Sequence, residues 1–460
     1  MQRSVSWSYA PYAPYFFEAG DPYICRISPT AHTVTFAFVT SLSAPYAVYF
    51  RQRGEGEFEK IAEINEKEYT VTGLTDGTEY EFYVTASGKR SRVRLVKAAD
   101  AVGTVVNYLH PEDDCYHFSG DALCSPSLLR CADGHLLASM DLFTADRPQN
   151  LTLVFRSDDD GETWQYQCEL MPCFWAKLFE HKGKIYALAC STEYGDLLIG
   201  ASEDGGKSFG APTVLLRGAG RTNEAGVHKN PQNVVYYKGR IYETLEWGAW
   251  SLGYHAAMVM SCDENADLLD ATNWSFSQPV PYDPNWEGTA KGNSPGTIEG
   301  TLVVFPDGKL YNVMRYQMMG CEPCFGRVLA YEVDTDCPTA PLRYSHAIAF
   351  PANHTKFMIK KDGATGYYYT IGSRITDPSH LRDRRLLSLM RSKDMVHFEV
   401  VTDVYDRRDA DPSKVGFQYV DFFFEGEDIL FLCRTALNGA INHHDANYST
   451  FDRIKNFRSL

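Results

Sequence analysis

Residues 299–315 read Glu-Gly-Thr-Leu-Val-Val-Phe-Pro-Asp-Gly-Lys-Leu-Tyr-Asn-Val-Met-Arg. Two alternating apolar runs, 301–305 and 310–314, flank a Pro306-Asp307-Gly308 turn, so the stretch reads as a β-hairpin with a carboxylate entering and a guanidinium leaving. Charge confined to the ends of an otherwise apolar strand pair suggests a site built on rigid scaffold. The alternative is a surface ion pair, which is worth little. The same grammar of apolar strand, Asp-Gly or Lys-Gly turn and apolar strand recurs at 128–138, 178–188 and 234–243. No long helical periodicity interrupts it from about Tyr108 onward. Roughly 350 residues of antiparallel hairpins exceed one sandwich and imply a β-propeller over residues 108–460, because radial repetition protects the sheet edges. At about 45 to 65 residues per blade the length gives six blades, with five or seven as the alternatives.

Residues 1–100 differ in texture. Short alternating runs, at 33–39, 47–50 and 81–86, are separated by turn signals such as Gly73-Leu-Thr-Asp-Gly-Thr-Glu-Tyr80, a pattern that predicts a small β-sandwich. The whole chain is therefore expected to be all-β, with the sandwich preceding the propeller. The 74–80 turn resembles the L-x-P/D-G-T-x-Y turn of fibronectin type III domains, a resemblance that covers about 100 residues and implies an orienting or binding module without chemistry of its own.

Composition bounds the function. The chain has 460 residues, a formal net charge of -15 and 13% aromatic residues, including 29 Tyr. The acidic balance argues against nucleic acid or an anionic membrane as partner, while leaving room for a small anion held by a local arginine cluster. Abundant flat rings suit β-structure and also the apolar faces of sugars. No apolar run approaches the roughly 20 residues that span a bilayer, and the first 17 residues lack a secretory apolar core. A cytoplasmic location is expected if Met1 is native, and a secreted one if the N-terminus has been trimmed. Twelve cysteines without framework spacing fit mostly buried thiols in a reducing compartment. Cys321 and Cys324 form the one CxxC, weak support for zinc without a second pair. With no phosphate-cradling glycine motif either, neither cofactor nor metal is expected.

A second repeat is more specific. Ser157-Asp-Asp-Asp-Gly-Glu-Thr-Trp164 and Ser202-Glu-Asp-Gly-Gly-Lys-Ser-Phe209 share S-x-D-x-G-x-T/S-aromatic, with an expanded copy at Ser261, Asp263 and Trp274 and a degenerate one at 392–398. This is the Asp-box, in which the aspartate and glycine hold a tight turn and the serine and aromatic lock it to the sheet. With it, residues 115–460 resemble the sialidase superfamily of glycoside hydrolases and their relatives. The resemblance implies that Glu299 is the base activating a tyrosine nucleophile and that Arg315, 16 residues on across the hairpin, clamps the substrate carboxylate. Tyr419, in Phe417-Gln-Tyr-Val-Asp421 before a final hairpin, matches the nucleophile. Arg384, eight residues before Ser392, matches a second clamp arginine, with its neighbour Arg385 as the alternative. Asp146, in the loop before the first Asp-box strand, matches the acid/base, with Asp141 as the alternative. The chain departs from the family at Leu123-Cys-Ser-Pro-Ser-Leu128, where Cys124 stands in place of the first clamp arginine. Without that planar fork, bidentate recognition of a sialic acid carboxylate is compromised.

A tyrosine hydroxyl with a pKa near 10 is a poor nucleophile unless a carboxylate takes its proton, so a Tyr/Glu pair is informative where either residue alone is not. His443, His444 and Asp445 are read as turn residues, substrate contacts or metal ligands, in that order, and His228 as a further residue facing the pocket. The resulting expectation is a sialidase-like exo-glycosidase with a carbohydrate substrate, using Tyr419, Glu299 and Asp146, with Arg315, Arg384, His228, His444 and Asp445 binding the sugar. Two readings stand beside it. One is a polysaccharide lyase with Tyr419 or His444 as base and Arg315 as neutraliser; the other is a noncatalytic glycan-binding propeller.

Overall fold

The computed structural model describes residues 5–7, 21–219 and 224–460. Among the described residues six antiparallel sheets follow one another along the chain, each with a main path of four strands beginning at the central axis and running outward; in the third, Val235–Tyr237 also pairs with Arg240–Ala249. Blade 1 comprises Ala122–Arg130, Leu136–Phe143, Thr152–Ser157 and Gln165–Leu170. Blade 2 comprises Phe174–His181, Lys184–Cys190, Leu197–Ser202 and Thr213–Leu216. Blade 3 is Gly226–His228, Arg240–Ala249, Tyr254–Asp263 and Trp274–Phe276, and blade 4 is Gly296–Val304, Leu310–Gln317, Arg327–Glu332 and Arg343–Ala349. Blade 5 is Ile359–Lys361, Tyr368–Ser373, Leu386–Ser392 and Phe398–Asp406. Blade 6 takes Gly416–Glu425, Asp428–Ala436 and Tyr448–Ile454 from the end of the chain, and its outer strand, Thr104–Tyr108, from before blade 1. That strand pairs antiparallel with Tyr448–Ile454 and closes the ring, so propeller pairing starts at Thr104, slightly ahead of the expected boundary. Val5–Trp7 adds a parallel fifth strand to blade 1, and Trp7 is buried between blades 1 and 2.

The two clean S-x-D-x-G turns show why that spacing repeats. In the first, Ser157 Oγ donates to Asp159 Oδ1 at 2.8 Å and accepts from Gly161 N at 2.8 Å, while Asp159 accepts from Thr163 N at 2.9 Å. Ser202, Asp204, Gly206 and Ser208 repeat this at 2.8, 2.9 and 2.9 Å. Trp164 and Phe209 then anchor the turns in the blade cores. Gly161 and Gly206 have φ of 89° and 84°, which a side chain rarely adopts, and a Cβ at either would strike Phe451 or Leu137.

The innermost strands of blades 1, 2, 4 and 6 share a second device. Each carries a bulge at which a non-glycine residue takes positive φ: Ser125 at 46°, Trp175 at 57°, Glu299 at 56° and Tyr419 at 56°. Such a bulge breaks the two-residue alternation and re-aims one side chain. Left-handed backbone at a bulky residue costs of order 1–3 kcal/mol and persists only when its surroundings impose it.

Ahead of the ring, Tyr23–Pro29, Thr33–Val39 and Glu68–Thr72 form one sheet, and Tyr46–Gln52, Glu59–Ile64, Glu79–Ala86 and Arg94–Lys97 contribute to a second. Their alternating inward residues, among them Ile27, Phe36, Val48 and Phe82, make a core continuous with that of blades 5 and 6. The sandwich grips the closing strand directly. Arg26 donates to the carbonyls of Val106 and Val105 at 3.1 and 3.3 Å, and Asn107 Oδ1 accepts from Ile27 N at 3.1 Å. Among the described residues no helix is long and apolar enough to cross a membrane.

Candidate active site

The Glu299–Arg315 hairpin spans blade 4 from axis to second strand, pairing Ile298 with Arg315 and Val304 with Leu310. Its two charges meet at the axial end, buried, with Arg315 Nη1 donating to Glu299 Oε2 at 2.5 Å. A surface ion pair is thereby ruled out. Two blades further round the ring, the bulge at Tyr419 turns the phenol toward the same carboxylate, and Tyr419 Oη donates to Glu299 Oε1 at 2.5 Å. Arg315 Nη1 also donates to Tyr419 Oη, at 3.3 Å. Glu299 and Tyr419 stand at the wall of a cavity of about 710 Å³ at one mouth of the axis, lined also by Cys124, Trp175, His228, Arg434 and His444, with Arg315 behind the pair.

Burial alone would raise the Glu299 pKa, but the Arg315 guanidinium beside it holds the carboxyl below its ordinary value. Burial pushes the Tyr419 hydroxyl up to about 12, helped by the Glu299 charge and opposed by Arg315, Arg384 and Arg434. The resting pair is therefore a neutral phenol hydrogen-bonded to a carboxylate.

Three guanidiniums surround Tyr419. Arg315 is neutralised by Glu299. Arg384, two residues before the third strand of blade 5, is buried with Nε and Nη1 lacking any hydrogen-bond partner among the described residues, and burial lowers its pKa to about 9. Its neighbour Arg385 turns instead to Asp383, at 2.7 Å. Arg434, on the second strand of blade 6, lies over the rings of Tyr419 and Phe143 at 5.0 and 5.4 Å and donates to His444 O at 2.5 Å. It also faces Cys124, whose burial raises its thiol to about 12 while Arg434 pulls the other way. The position where Cys124 departs from the sialidase pattern thus has a guanidinium beside it, delivered from the adjacent blade. The sequence did not single out Arg434 for this role, although a lone arginine in the largely apolar strand Asp428–Ala436 was a signal.

The remaining expectations separate. His228 lines the cavity, and its Nδ1 lies 2.7 Å from Glu246 Oε2. His444 lines it too, with Nδ1 2.7 Å from Asp445 Oδ1; burial lowers the His444 pKa, and that hydrogen bond holds the Asp445 carboxyl down against its own burial. Asp445 thus sits behind His444 rather than on the wall. Asp146 is not brought to the pair: its side chain is 76% exposed, beside Arg147, in a loop whose Ala145 and Gln149 are the members that reach the cavity. The alternative, Asp141, is fully buried and pushed up to about 7 by that burial, but its oxygens accept from Thr152 Oγ1 at 2.5 Å and Trp175 N at 2.8 Å, so it braces blade 1 against blade 2. Cys321 and Cys324 are free thiols, and among the described residues no three His, Cys, Asp or Glu are grouped to hold a metal ion.

The six blades thus close into a β-propeller with the Tyr/Glu pair in its axial mouth. No protein-family model matches the chain, and no curated protein matches it. Among solved structures, an α-L-arabinanase of Penicillium chrysogenum complexed with arabinobiose is similar with a TM-score of 0.53 at 13% identity, over 78% of this chain and 99% of that one. An α-L-arabinofuranosidase of Fusarium graminearum with arabinobiose gives 0.50 at 13% identity, over 76% and 97%. A sialidase of Streptococcus pneumoniae gives 0.49 at 9% identity, over 95% and 93%. The first two likenesses establish a shared fold.

Proposed function

We propose that this protein is an exo-acting glycoside hydrolase that removes a terminal acidic sugar with retention of configuration. The observation that carries the reading is the 2.5 Å hydrogen bond from Tyr419 to Glu299, assembled by two bulges from blades two apart. In this reading Tyr419 Oη attacks the anomeric carbon while Glu299 Oε1 takes its proton, and Arg315 keeps Glu299 ionised for that task. A phenol held near 12 does not ionise beforehand, so base assistance in the transition state is required. A neutral nucleophile also avoids repelling an anionic substrate, which is the use of tyrosine in place of the usual second carboxylate. The acidic sugar follows from Arg384, a buried cation without a carboxylate, with Arg434 beside it; a substrate carboxylate supplies the missing partner. Two of the fold neighbours bear the names of glycan-cleaving enzymes, which supports carbohydrate as the substrate. We further assign the S-x-D-x-G turns to the Asp-boxes of the sialidase superfamily, and residues 1–100 to a fibronectin type III-like module ahead of the catalytic ring.

The test is release of 4-methylumbelliferone from glycosides of sialic acid, glucuronic acid and rhamnose by the wild type and by Tyr419→Phe. The expected outcome is turnover of an acidic glycoside that the phenylalanine variant abolishes. An unsaturated, ultraviolet-absorbing product from uronate polymers would replace this reading with a lyase, and binding without turnover would replace it with a glycan-binding propeller.

A further inference from the structure

Retaining hydrolysis needs a second group, one that protonates the departing oxygen and later deprotonates water. Glu299 is committed to Tyr419 and Arg315, Asp146 points to solvent, and Asp141 is tied to Thr152 and Trp175 behind the cavity wall rather than lining it. Glu193 also lines the cavity but is already engaged.

Resting on the hydrolase reading above, we propose that His228, oriented by Glu246, is the proton donor to the leaving-group oxygen. His228 ends the short innermost strand of blade 3, directly opposite Glu246 in the ladder. Both side chains are buried, at 2% and 0% exposure, and Nδ1 donates to Glu246 Oε2 at 2.7 Å. The other Glu246 oxygen accepts from Gly300 N at 3.2 Å, one residue beyond Glu299, so one carboxylate fixes both the imidazole and the bulge that aims the base. Trp175 and His255 pin the ring, with centroids at 4.3 and 4.7 Å. Nε2 then remains, with no partner among the described residues, on a side chain lining the cavity with Tyr419 and Glu299. A carboxylate on Nδ1 that fixes the ring and stabilises its charged form, leaving Nε2–H for the substrate, is the arrangement a histidine acid/base requires.

The proton account closes. Tyr419 Oη bonds to the anomeric carbon as its proton passes to Glu299. The bond from that carbon to the leaving oxygen breaks, its electron pair stays on the oxygen, and the oxygen takes the proton from Nε2 of charged His228. Neutral His228 then accepts a proton from the water whose oxygen attacks the same carbon. The Tyr419–carbon bond breaks with its pair returning to Tyr419, which regains its proton from Glu299.

The test compares leaving groups, because a phenol departs as its anion while an alcohol must be protonated. His228→Asn retains an amide N–H for Glu246 and lacks Nε2, and its melting temperature checks the fold. On the methyl glycosides of sialic and glucuronic acid, kcat/KM is expected to fall by about 10²–10⁴. On the matching 4-methylumbelliferyl glycosides the loss is expected to stay below about tenfold. Glu246→Gln, which touches no substrate and acts through His228, is expected to show the same asymmetry to a smaller degree, where a merely structural role would depress both substrates alike. Equal losses on the two leaving groups, or none, from a wild type that turns both over would overturn the assignment of His228 and leave the hydrolase reading standing. A wild type that hydrolyses neither overturns both.

Discussion

Arg384 is a buried cation whose Nε and Nη1 have no hydrogen-bond partner among the described residues. Replacing such a group with an apolar side chain of similar size commonly stabilises a protein by about 1–4 kcal/mol, because desolvation of the charge is no longer opposed to folding. Arg384→Met is accordingly expected to raise the denaturant midpoint while raising KM for the acidic glycoside at least tenfold. An unchanged KM with higher stability would show that Arg384 holds no substrate. Glu299, Arg315, Tyr419 and Arg384 could be singled out in the sequence through the resemblance to sialidases, whose motifs rest on local patterns of strand, turn and spacing. The sequence did not display the role of Arg434, whose closeness to Cys124 exists only once blade 6 has packed against blade 1. Nor did it display Glu246 as the partner of His228, a pairing set by register across 18 residues. Asp146 was misleading for the opposite reason: its loop reaches the cavity, but through its neighbours Ala145 and Gln149.

Among the elements, turn and bulge divide the labour. The S-x-D-x-G turns lie within the outer half of their blades and satisfy themselves, so they hold sheet geometry without facing the cavity. Asp159→Ala, which removes the acceptor for Ser157 Oγ, Thr163 N and Thr163 Oγ1, is expected to cost about 2 kcal/mol in chemical denaturation and leave kcat unchanged. A fall in kcat at constant stability would contradict that division. The hairpins and turns were legible because two-residue alternation and Asp-Gly punctuation are local signals. The axial bulges were not, because positive φ at Ser125, Trp175, Glu299 and Tyr419 is forced by packing on residues with no preference for it. Sequence patterns thus located Glu299 and Tyr419, but their convergence is a product of strain that only the assembled ring imposes.

For the whole molecule, closure gathers inward-facing charge as well as chemistry. Lys177, Lys356 and Lys360 from blades 2 and 5 all approach Asp421 of blade 6 near the axis; Lys177 is hydrogen-bonded to it and Lys360 lies at 4.0 Å. Burial, reinforced by Lys177 and opposed by Asp421, lowers the Lys356 pKa to about 7. Between pH 7 and the ordinary lysine value the unfolded chain therefore binds more protons than the folded one, and stability rises with pH over that window. Below pH 7 Lys356 is charged in both states and its penalty is constant. Lys356→Met is expected to stabilise the protein at pH 6 by at least about 1 kcal/mol, to do so less at pH 9.5, and to flatten the rise between them in urea titrations. An equal gain at both pH values would show that the lysine is not the titrating group. The ring is closed by Thr104–Tyr108 meeting Tyr448–Ile454. On a ribosome adding about 5–20 residues per second, the early strand waits on the order of half a minute for its mate. Throughout that interval an apolar strand with an open edge is the kind of surface that recruits stray chains. The sandwich is translated before it, and Arg26 and Asn107 already fasten strand to sandwich. The N-terminal unit thus supplies a fixed mooring for the closing strand, made before the strand's partner exists.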